Sequence, residues 1–145
     1  MTIRQATPAD LAAALRLALL LWPSNDPEEL AGEFAPLLER QDAAVFLCES
    51  AGQVIGFAQC QLRRDYVEGC ETSPVGYLEG VDVEEEHRRQ GVAAGLLEAC
   101  MNWAREQGCR EFASDCELDN TDSLRFHLNV GFEEANRIIC FTRKL

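Results

Sequence analysis

The sequence predicts a mixed α/β fold in which helices cover both faces of one mixed sheet. Segments typical of strands and of amphipathic helices follow one another in the order β-α-α-β-β-β-α-β-α-β. The chain has 145 residues, which suits a single domain over residues 1–145, and no linker, repeat or low-complexity tract divides it. Apolar residues make up 47% and charged residues 26%, a balance typical of a folded globular protein.

The two helices nearest the N-terminus carry clear start signals. A short strand is expected at 2–6, and Thr7 then follows as N-cap with Pro8 in the first helical position. Asp26 and Pro27 repeat this pairing of a cap with a proline, so a second helix is expected directly after them.

The rest of the chain predicts further strands and two more helices. The strands are expected at 43–50, 54–64, 75–83, 110–116 and 138–142. A strongly amphipathic helix is expected from Gly91 to Gln107. A last helix, capped by either Asp119 or Asn120, is expected to run to Asn129.

The charge of the chain limits its partners. There are 13 Lys and Arg against 25 Asp and Glu, so the net charge is −12. This excess of carboxylates argues against nucleic acid and against an anionic membrane surface, because phosphates are bound by cationic side chains. An acidic surface can attract a basic ligand, or it can simply keep the protein in solution.

The apolar segments, cysteines and histidines of the chain bear on its location and on metal binding. No segment reaches the roughly 20 apolar residues of a membrane-spanning helix, and no signal peptide is recognisable. The seven cysteines are odd in number and include no C-x-x-C pair, so we expect reduced thiols and a cytoplasmic location. Because His87 and His127 are far apart in the sequence, we expect no metal site.

One stretch carries the clearest chemical signal. It consists of the strand residues Val81, Asp82 and Val83, a polar connection, and then Arg88, Arg89, Gln90, Gly91, Val92, Ala93 and Ala94 at the start of a helix. Backbone N–H groups that begin a helix lack acceptors within it, and together with the helix dipole they suit a diphosphate. The alternative is an ordinary strand-to-helix turn, since neither G-x-G-x-x-G nor a Walker A motif is present.

The order of motifs around this stretch adds weight to it. The next strand ends at Asp115, and Asn120, His127 and Gly131-Phe132 follow in sequence. This order resembles that of the GNAT superfamily of N-acetyltransferases. The resemblance implies a GNAT fold, with a mostly antiparallel mixed sheet and splayed central strands, and acetyl-CoA as the co-substrate.

The resemblance also implies roles for these residues. In that family the R/Q-x-x-G-x-G/A motif, here residues 88–93, binds the pyrophosphate of acetyl-CoA. The strand at 81–83 is expected to pair with the pantetheine arm through its backbone, and Asn120 to contact the cofactor. Where the family often has a tyrosine acid for the leaving thiolate, this chain has His127, which can donate that proton in its place. The alternatives are that no acid is needed, because a thiolate is already a fair leaving group, and that His127 is an amphipathic surface histidine.

Further segments are similar to aminoglycoside 6′-N-acetyltransferases over nearly the whole chain. These segments are Leu21-Trp22-Pro23, Asp65-Tyr66, Leu78-Glu79-Gly80, residues 112–115 and the tail 131–145. The residues that the resemblance places in the substrate site are Trp22, Tyr66, Glu79, Asp115 and Asn136. Aminoglycosides carry several ammonium groups, and a carboxylate-rich, lysine-poor chain suits such a ligand.

Two carboxylates are the candidates for the general base. Glu79 lies in an otherwise apolar strand and Asp115 ends the next strand. The resemblance implies that these strands splay apart at the thioester, so both carboxylates can flank the acceptor amine. The alternative for each is a solvated acid at a strand end. Trp22 can provide an apolar face for a sugar ring, or it can be a core residue at a helix end.

These expectations combine into one reaction. The chain is expected to transfer an acetyl group from acetyl-CoA to the 6′-amine of an aminoglycoside, and so to confer resistance. Alternatives are a GNAT enzyme that acetylates a polyamine or another small-molecule or protein amine, and a non-catalytic acyl-CoA sensor. The apolar residues in 137–145 could pair with another sheet edge, and related enzymes are commonly dimers, so a homodimer is expected.

Overall fold

The computed structural model describes all residues, 1–145, and centres on one five-stranded sheet. The strands are β1 (Thr2–Gln5), β2 (Ala43–Ser50), β3 (Gln53–Arg63), β4 (Val75–Val83) and β5 (Phe112–Ala113). Their order across the sheet is the same as their order along the chain. The helices are α1 (Leu11–Leu21), α2 (Pro27–Leu37), α3 (Val92–Glu106) and α4 (Thr121–Asn129), and short 3-10 turns lie at Pro8–Asp10 and Glu85–His87.

The start signals read from the sequence are confirmed. The Asp10 carboxylate accepts a hydrogen bond from the backbone N–H of Thr7 at 2.8 Å, although the first turn is 3-10 before α1 begins. Asp26 caps α2 by accepting from the backbone N–H of Glu29 at 3.1 Å. Of the two residues considered as the cap of α4, Asn120 is the one that caps it.

Helices cover both faces of the sheet, as predicted. Along β2 successive side chains point to opposite faces, so Ala44 packs with Leu96 of α3 while Val45 packs with Leu17 of α1 and Phe34 of α2. Each face therefore has its own buried cluster, and the sheet lies between them.

The sheet is mostly antiparallel and splayed. Strands β1 to β4 pair antiparallel, whereas β4 and β5 are parallel. The parallel pairing involves only Gly76 with Phe112 and Tyr77 with Ala113. Beyond these two pairs the strands separate, so the second half of β4 has a strand neighbour on one side only.

Two strand predictions were wrong. The strand expected at 110–116 is reduced to Phe112–Ala113, and the one expected at 138–142 does not form. In the segment 138–142 the side chains are open to solvent, with Ile139 81% and Phe141 90% exposed. The reason is that strand propensity measures how well a residue fits beside a partner strand, and no strand of this chain pairs with residues 138–142. No helix of the structure is long and apolar enough to cross a membrane.

Candidate active site

A cavity of about 310 Å³ lies between the α1–α2 pair and the sheet. Its lining residues include Trp22, Asn25, Glu33, Phe34, Gln59 and Glu79. The sequence-predicted residues Trp22 and Glu79 thus share one cavity, and Glu79 contributes a carboxylate to its wall.

Trp22 is partly a core residue and partly exposed to the cavity. Its indole ring meets the rings of Phe57 and Phe34 at centroid distances of 6.1 and 6.4 Å. The ring also lies on the backbone of Gly80, where an added Cβ atom would come within 2.7 Å of it. One edge of the indole is therefore core, and another edge forms part of the cavity wall.

The carboxylate of Glu79 is held in an ion pair that the sequence did not suggest. Nη2 of Arg63 donates to Oε1 and Oε2 of Glu79 at 2.8 and 3.0 Å, and Nε donates to Oε2 at 3.2 Å. The same guanidinium lies over the ring of Tyr77, 3.4 Å from its centroid. Burial disfavours the charge of Arg63, but the Glu79 carboxylate outweighs it and raises the pKa of Arg63.

Asp115 joins this group from the other side of Tyr77. The hydroxyl of Tyr77 donates a hydrogen bond to the Asp115 carboxylate. Burial, and then this hydrogen bond, raise the pKa of Tyr77 above its ordinary value, so the phenol remains a donor across the physiological range. The structure therefore brings Asp115 and Glu79 together through Tyr77 and Arg63. Asp115 is exposed, and its only side-chain partner is the neutral phenol.

Sequence reasoning missed Arg63 and Tyr77 as members of the site. One usable signal was the alternation of side chains along β4, which puts Tyr77 and Glu79 on the same face. No comparable signal identified Arg63, because which side chain reaches Glu79 depends on the register of β3 against β4, including its irregularity at Gln59.

His127 is half-buried, and both of its ring nitrogens have hydrogen-bond partners. Nδ1 lies 2.7 Å from the carbonyl oxygen of Ser123, and Nε2 lies 2.8 Å from Oγ of Ser114. The rings of Phe126 and Phe132 flank the imidazole at 5.5 and 5.1 Å. This environment differs from that of a solvated surface histidine.

The backbone of the predicted cofactor strand is open on one side. Gly56 pairs with Val83 and Ala58 with Val81 on the β3 side, while β5 leaves the other side free. Arg88 holds the end of this strand, because its Nε donates to the carbonyl oxygen of Val83 at 2.9 Å and its Nη2 lies 3.3 Å from Oδ1 of Asp82.

The start of α3 has the geometry expected of an anion site. Gly91 is its N-cap with φ +79°, a left-handed conformation that glycine adopts without strain, and Arg89 also has a positive φ of 63°. The first helical hydrogen bond runs from the N–H of Gly95 to the carbonyl of Gly91. No side chain caps the helix, so the N–H groups of residues 92–94 are available to a ligand.

Asp115 and His127 do not line the cavity, and neither do three further predicted residues, Tyr66, Asn136 and Asn120. Tyr66 is 77% exposed in the loop between β3 and β4. Asn136 donates to Oε1 of Glu68 in the same loop at 2.6 Å. The side-chain oxygen of Asn120 accepts from the N–H of Ser123 and so has a capping role. No group of three or more His, Cys, Asp or Glu side chains is arranged to hold a metal ion.

Comparison with known proteins gives matches over the whole fold. The sequence model described as the acetyltransferase (GNAT) family matches residues 11–132. Aminoglycoside N(6′)-acetyltransferase type 1 of Stenotrophomonas maltophilia is 46% identical over 146 residues, covering 99% of this chain and 94% of that protein. The protein of the same name from Serratia marcescens is 42% identical, covering 94% of each.

Solved structures agree with these relatives. The structure of AAC(6′)-Iy in complex with the bisubstrate analog CoA-S-monomethyl-acetylneamine has a TM-score of 0.95 at 37% identity, covering 99% of this chain and 98% of that one. Aminoglycoside 6′-N-acetyltransferase AAC(6′)-IG from Acinetobacter haemolyticus has a TM-score of 0.95 at 39% identity, covering 100% and 99%.

Proposed function

The chain belongs to the acetyltransferase (GNAT) family, and on that premise we propose that it transfers an acetyl group from acetyl-CoA to the 6′-amino group of aminoglycosides. The observation that carries this proposal is the 46% identity to an aminoglycoside N(6′)-acetyltransferase over 99% of the chain. Acetylation removes one positive charge from the antibiotic, and resistance is the expected outcome.

The co-substrate is accommodated by features of this chain. The unpaired N–H groups at the start of α3 suit the diphosphate of acetyl-CoA, and the open side of β4 suits its pantetheine arm. The residues we assign to this interaction are Val81, Asp82, Val83, Arg88, Arg89, Gln90, Gly91, Val92, Ala93, Ala94 and Asn120. Arg88 and Asn120 have hydrogen-bond partners within the chain, so ligand binding has to compete with those hydrogen bonds.

The acidic side chains and aromatic rings form the substrate side. We assign Trp22, Tyr66, Glu79, Asp115 and Asn136 to the aminoglycoside. Glu79 and Asp115 supply carboxylates for ammonium groups, and the indole and phenol rings supply faces on which sugar rings can pack. The loop that carries Tyr66 is tied to the tail by the contact of Asn136 with Glu68.

The reaction requires a free amine. The 6′-ammonium first gives a proton to Asp115, since Glu79 is already committed to Arg63. The amine then attacks the thioester carbonyl, and a backbone N–H near Val83 stabilises the oxyanion, a type of interaction that contributes roughly 3 kcal/mol. His127 provides the proton for the departing thiolate.

Three broader expectations accompany the reaction. We propose that residues 1–145 act as one acetyltransferase domain, that the protein is cytoplasmic, and that it is a homodimer. The dimer is supported by the tail after Gly131, whose apolar side chains Ile138, Ile139 and Phe141 are 64%, 81% and 90% exposed in a single chain.

One assay tests the activity. Release of free thiol from acetyl-CoA is measured with kanamycin and with spermidine as acceptors. We expect turnover with kanamycin and a much lower kcat/KM with spermidine. The reverse preference would identify a polyamine acetyltransferase, which the acidic site also suits, and tight binding of acetyl-CoA without thiol release with any amine would identify a sensor.

A further inference from the structure

Ser114 lies at the point where β4 and β5 separate. Its Oγ atom is 2.8 Å from Nε2 of His127 on α4, and 3.4 Å from the carbonyl oxygen of Leu78 on β4. The serine therefore connects the gap in the sheet to the imidazole behind it. Under the proposed function this gap is where the acyl sulfur of acetyl-CoA lies next to the acceptor amine.

The hydrogen bonds around His127 fix the direction of this contact. A carbonyl oxygen only accepts, so the Nδ1 atom that lies 2.7 Å from the Ser123 carbonyl carries a proton. In a neutral imidazole Nε2 is then the acceptor, and the single hydroxyl proton of Ser114 goes to it at 2.8 Å in preference to the Leu78 carbonyl at 3.4 Å. The pair thus has the arrangement in which a histidine can take a proton from a serine hydroxyl.

We propose that Ser114 and His127 form a proton relay between the attacking nitrogen and the departing sulfur. The inference rests on the proposed acetyl transfer and adds Ser114 as the group that touches the reacting atoms. His127 stores the proton and positions the hydroxyl, and it acts through Ser114 rather than directly.

The proton balance of the reaction requires such a path. The ammonium loses its first proton to Asp115 before attack. Once the N–C bond has formed, the nitrogen carries a second surplus proton, which passes to Oγ of Ser114 as the hydroxyl proton of Ser114 passes to Nε2 of His127. When the C–S bond breaks, Ser114 protonates the sulfur and recovers a proton from Nε2. One proton has moved from nitrogen to sulfur, and both residues are restored.

The chain geometry separates this path from the Asp115 path. Ser114 and Asp115 are consecutive residues after β5, and in extended chain consecutive side chains point to opposite sides. Asp115 accordingly contacts Tyr77, whereas Ser114 contacts His127. The two protons of the reaction therefore have separate acceptors on opposite sides of the segment that follows β5.

Three substitutions test the relay. Ser114→Ala removes the connecting hydroxyl, and we expect kcat to fall at least about tenfold with little change in either KM. Ser114→Thr keeps a hydroxyl and is expected to restore most of kcat. His127→Gln places an amide where it can still hydrogen-bond with Ser114 but cannot take up a proton, so its kcat is expected to match that of Ser114→Ala.

The controls separate a relay from a structural role. Thermal unfolding of every variant is compared with the wild type, and Ser50→Ala removes a half-buried hydroxyl that makes no hydrogen bond and should leave kcat unchanged. In the relay, Ser114→Ala/His127→Gln loses no more kcat than the more damaging single substitution. The dependence of kcat on pH should also differ between His127→Gln and the wild type.

Several results would overturn the relay. They are a kcat within twofold of wild type for Ser114→Ala, additive losses in the double variant, or a pH profile that His127→Gln leaves unaltered. The relay concerns nitrogen and sulfur atoms common to every amine acetylation. If the wild type acetylates spermidine but not kanamycin, the aminoglycoside proposal fails and the same variants still test the relay on spermidine. If no amine is acetylated, both fail.

Discussion

Asp115 and Glu79 are both carboxylates of the candidate site, yet their surroundings give them different chemistry. Three short contacts with Arg63 neutralise Glu79, and that guanidinium is held in place by the ring of Tyr77. Asp115 receives only the neutral hydroxyl of Tyr77. Because both oxygens of Glu79 are occupied by Arg63 while Asp115 is exposed, Asp115 is better placed to be the base.

Substitution of Asp115 tests this distinction. We expect Asp115→Asn to lower kcat/KM at least about tenfold, which corresponds to roughly 1.4 kcal/mol of transition-state stabilisation. Glu79→Gln should act mainly on the KM of the aminoglycoside. Asp119→Asn, in the exposed turn before α4, serves as the matched control with unchanged kinetics. A smaller loss in Asp115→Asn would reject Asp115 as the principal base.

Trp22 combines packing and binding in one side chain, and the two effects can be separated. We expect Trp22→Ala to raise the KM for aminoglycosides because a wall of the cavity is lost. The same change lowers the free energy of unfolding by about 3 kcal/mol, since the contacts with Phe34 and Phe57 are lost. Trp22→Phe, which keeps an apolar ring, should restore most of the stability. An unchanged KM for every aminoglycoside would restrict Trp22 to the core.

At the scale of the element, α3 has a left-handed glycine at each end. Gly91 precedes the helix with φ +79° and Gly108 follows it with φ +89°, and an added Cβ at either position would meet nothing within 4 Å. Alanine at each therefore costs similar backbone strain, roughly 1 kcal/mol. Only Gly91 borders the proposed diphosphate site.

This symmetry provides a matched pair of variants. We expect Gly91→Ala and Gly108→Ala to lower the unfolding free energy by similar amounts, and only Gly91→Ala to weaken acetyl-CoA binding measured by calorimetry. The methyl group has open space in the free protein, so a loss of affinity would come from contact with the ligand or from an altered loop. Equal affinities in the two variants would place the diphosphate elsewhere.

The strands differed from one another in how accurately the sequence predicted their bounds. The bounds of β2 and β4 were predicted to the residue, because each strand is flanked by turn residues and packs on both faces. The segment 110–116 has strand-like residues too, but only two of its residues have a partner. Strand length depends on where a neighbour ends, and that information lies elsewhere in the chain.

For the candidate site, the sequence indicated individual chemical groups but not the side chains that contact them. The helix start at Gly91 and the carboxylates Glu79 and Asp115 follow from local sequence, and the structure joins the two carboxylates through other side chains. The partners Arg63 and Ser114 do not follow, since each depends on contacts between segments 13 or more residues apart. Local pattern identifies chemical groups, whereas tertiary register decides what neutralises or positions them.

In the molecule as a whole, ion pairs of Arg4 hold the N-terminal strand β1 to its neighbours. Arg4 on β1 donates to Asp10 at 2.8 and 2.9 Å and to Glu49 on β2 at 2.8 Å. The hydrogen bonds from Arg4, followed by that from the backbone of Thr7, hold the pKa of Asp10 well below its ordinary value. Because the pKa is lower in the folded than in the unfolded protein, this stabilisation is complete above about pH 4 and is lost as the pH falls.

Urea unfolding at several pH values measures this contribution. We expect wild type to exceed Asp10→Asn by about 2 kcal/mol at pH 7, the contribution typical of hydrogen bonds to a charged group. The difference should shrink steadily below pH 4, because Asp10 of the unfolded chain takes up a proton there while the folded protein still holds it ionised. A difference that stays constant from pH 7 to pH 3 would contradict the assignment.

The oligomeric state can be tested through the tail. We expect a dimer by sedimentation velocity, and we expect Ile139→Asp combined with Phe141→Asp to shift it to a monomer, because charged side chains would have to be buried in the interface. Leu145→Asp, at the chain end, is a milder change to the same tail. A monomeric wild type at micromolar concentration would refute the dimer.

The short pairing between β4 and β5 has a consequence for local opening of the sheet. Only two residue pairs join β5 to β4 within the sheet, and Ser114 and Asp115 beyond them reach β4 through side-chain contacts alone. A ligand bound in the gap would take the place of a strand and contact both β4 and the segment after β5. Amide hydrogens at 112–116 should therefore exchange quickly in the empty protein and slowly once the gap is filled, so occupancy could be read from the isotope content of a handful of backbone sites.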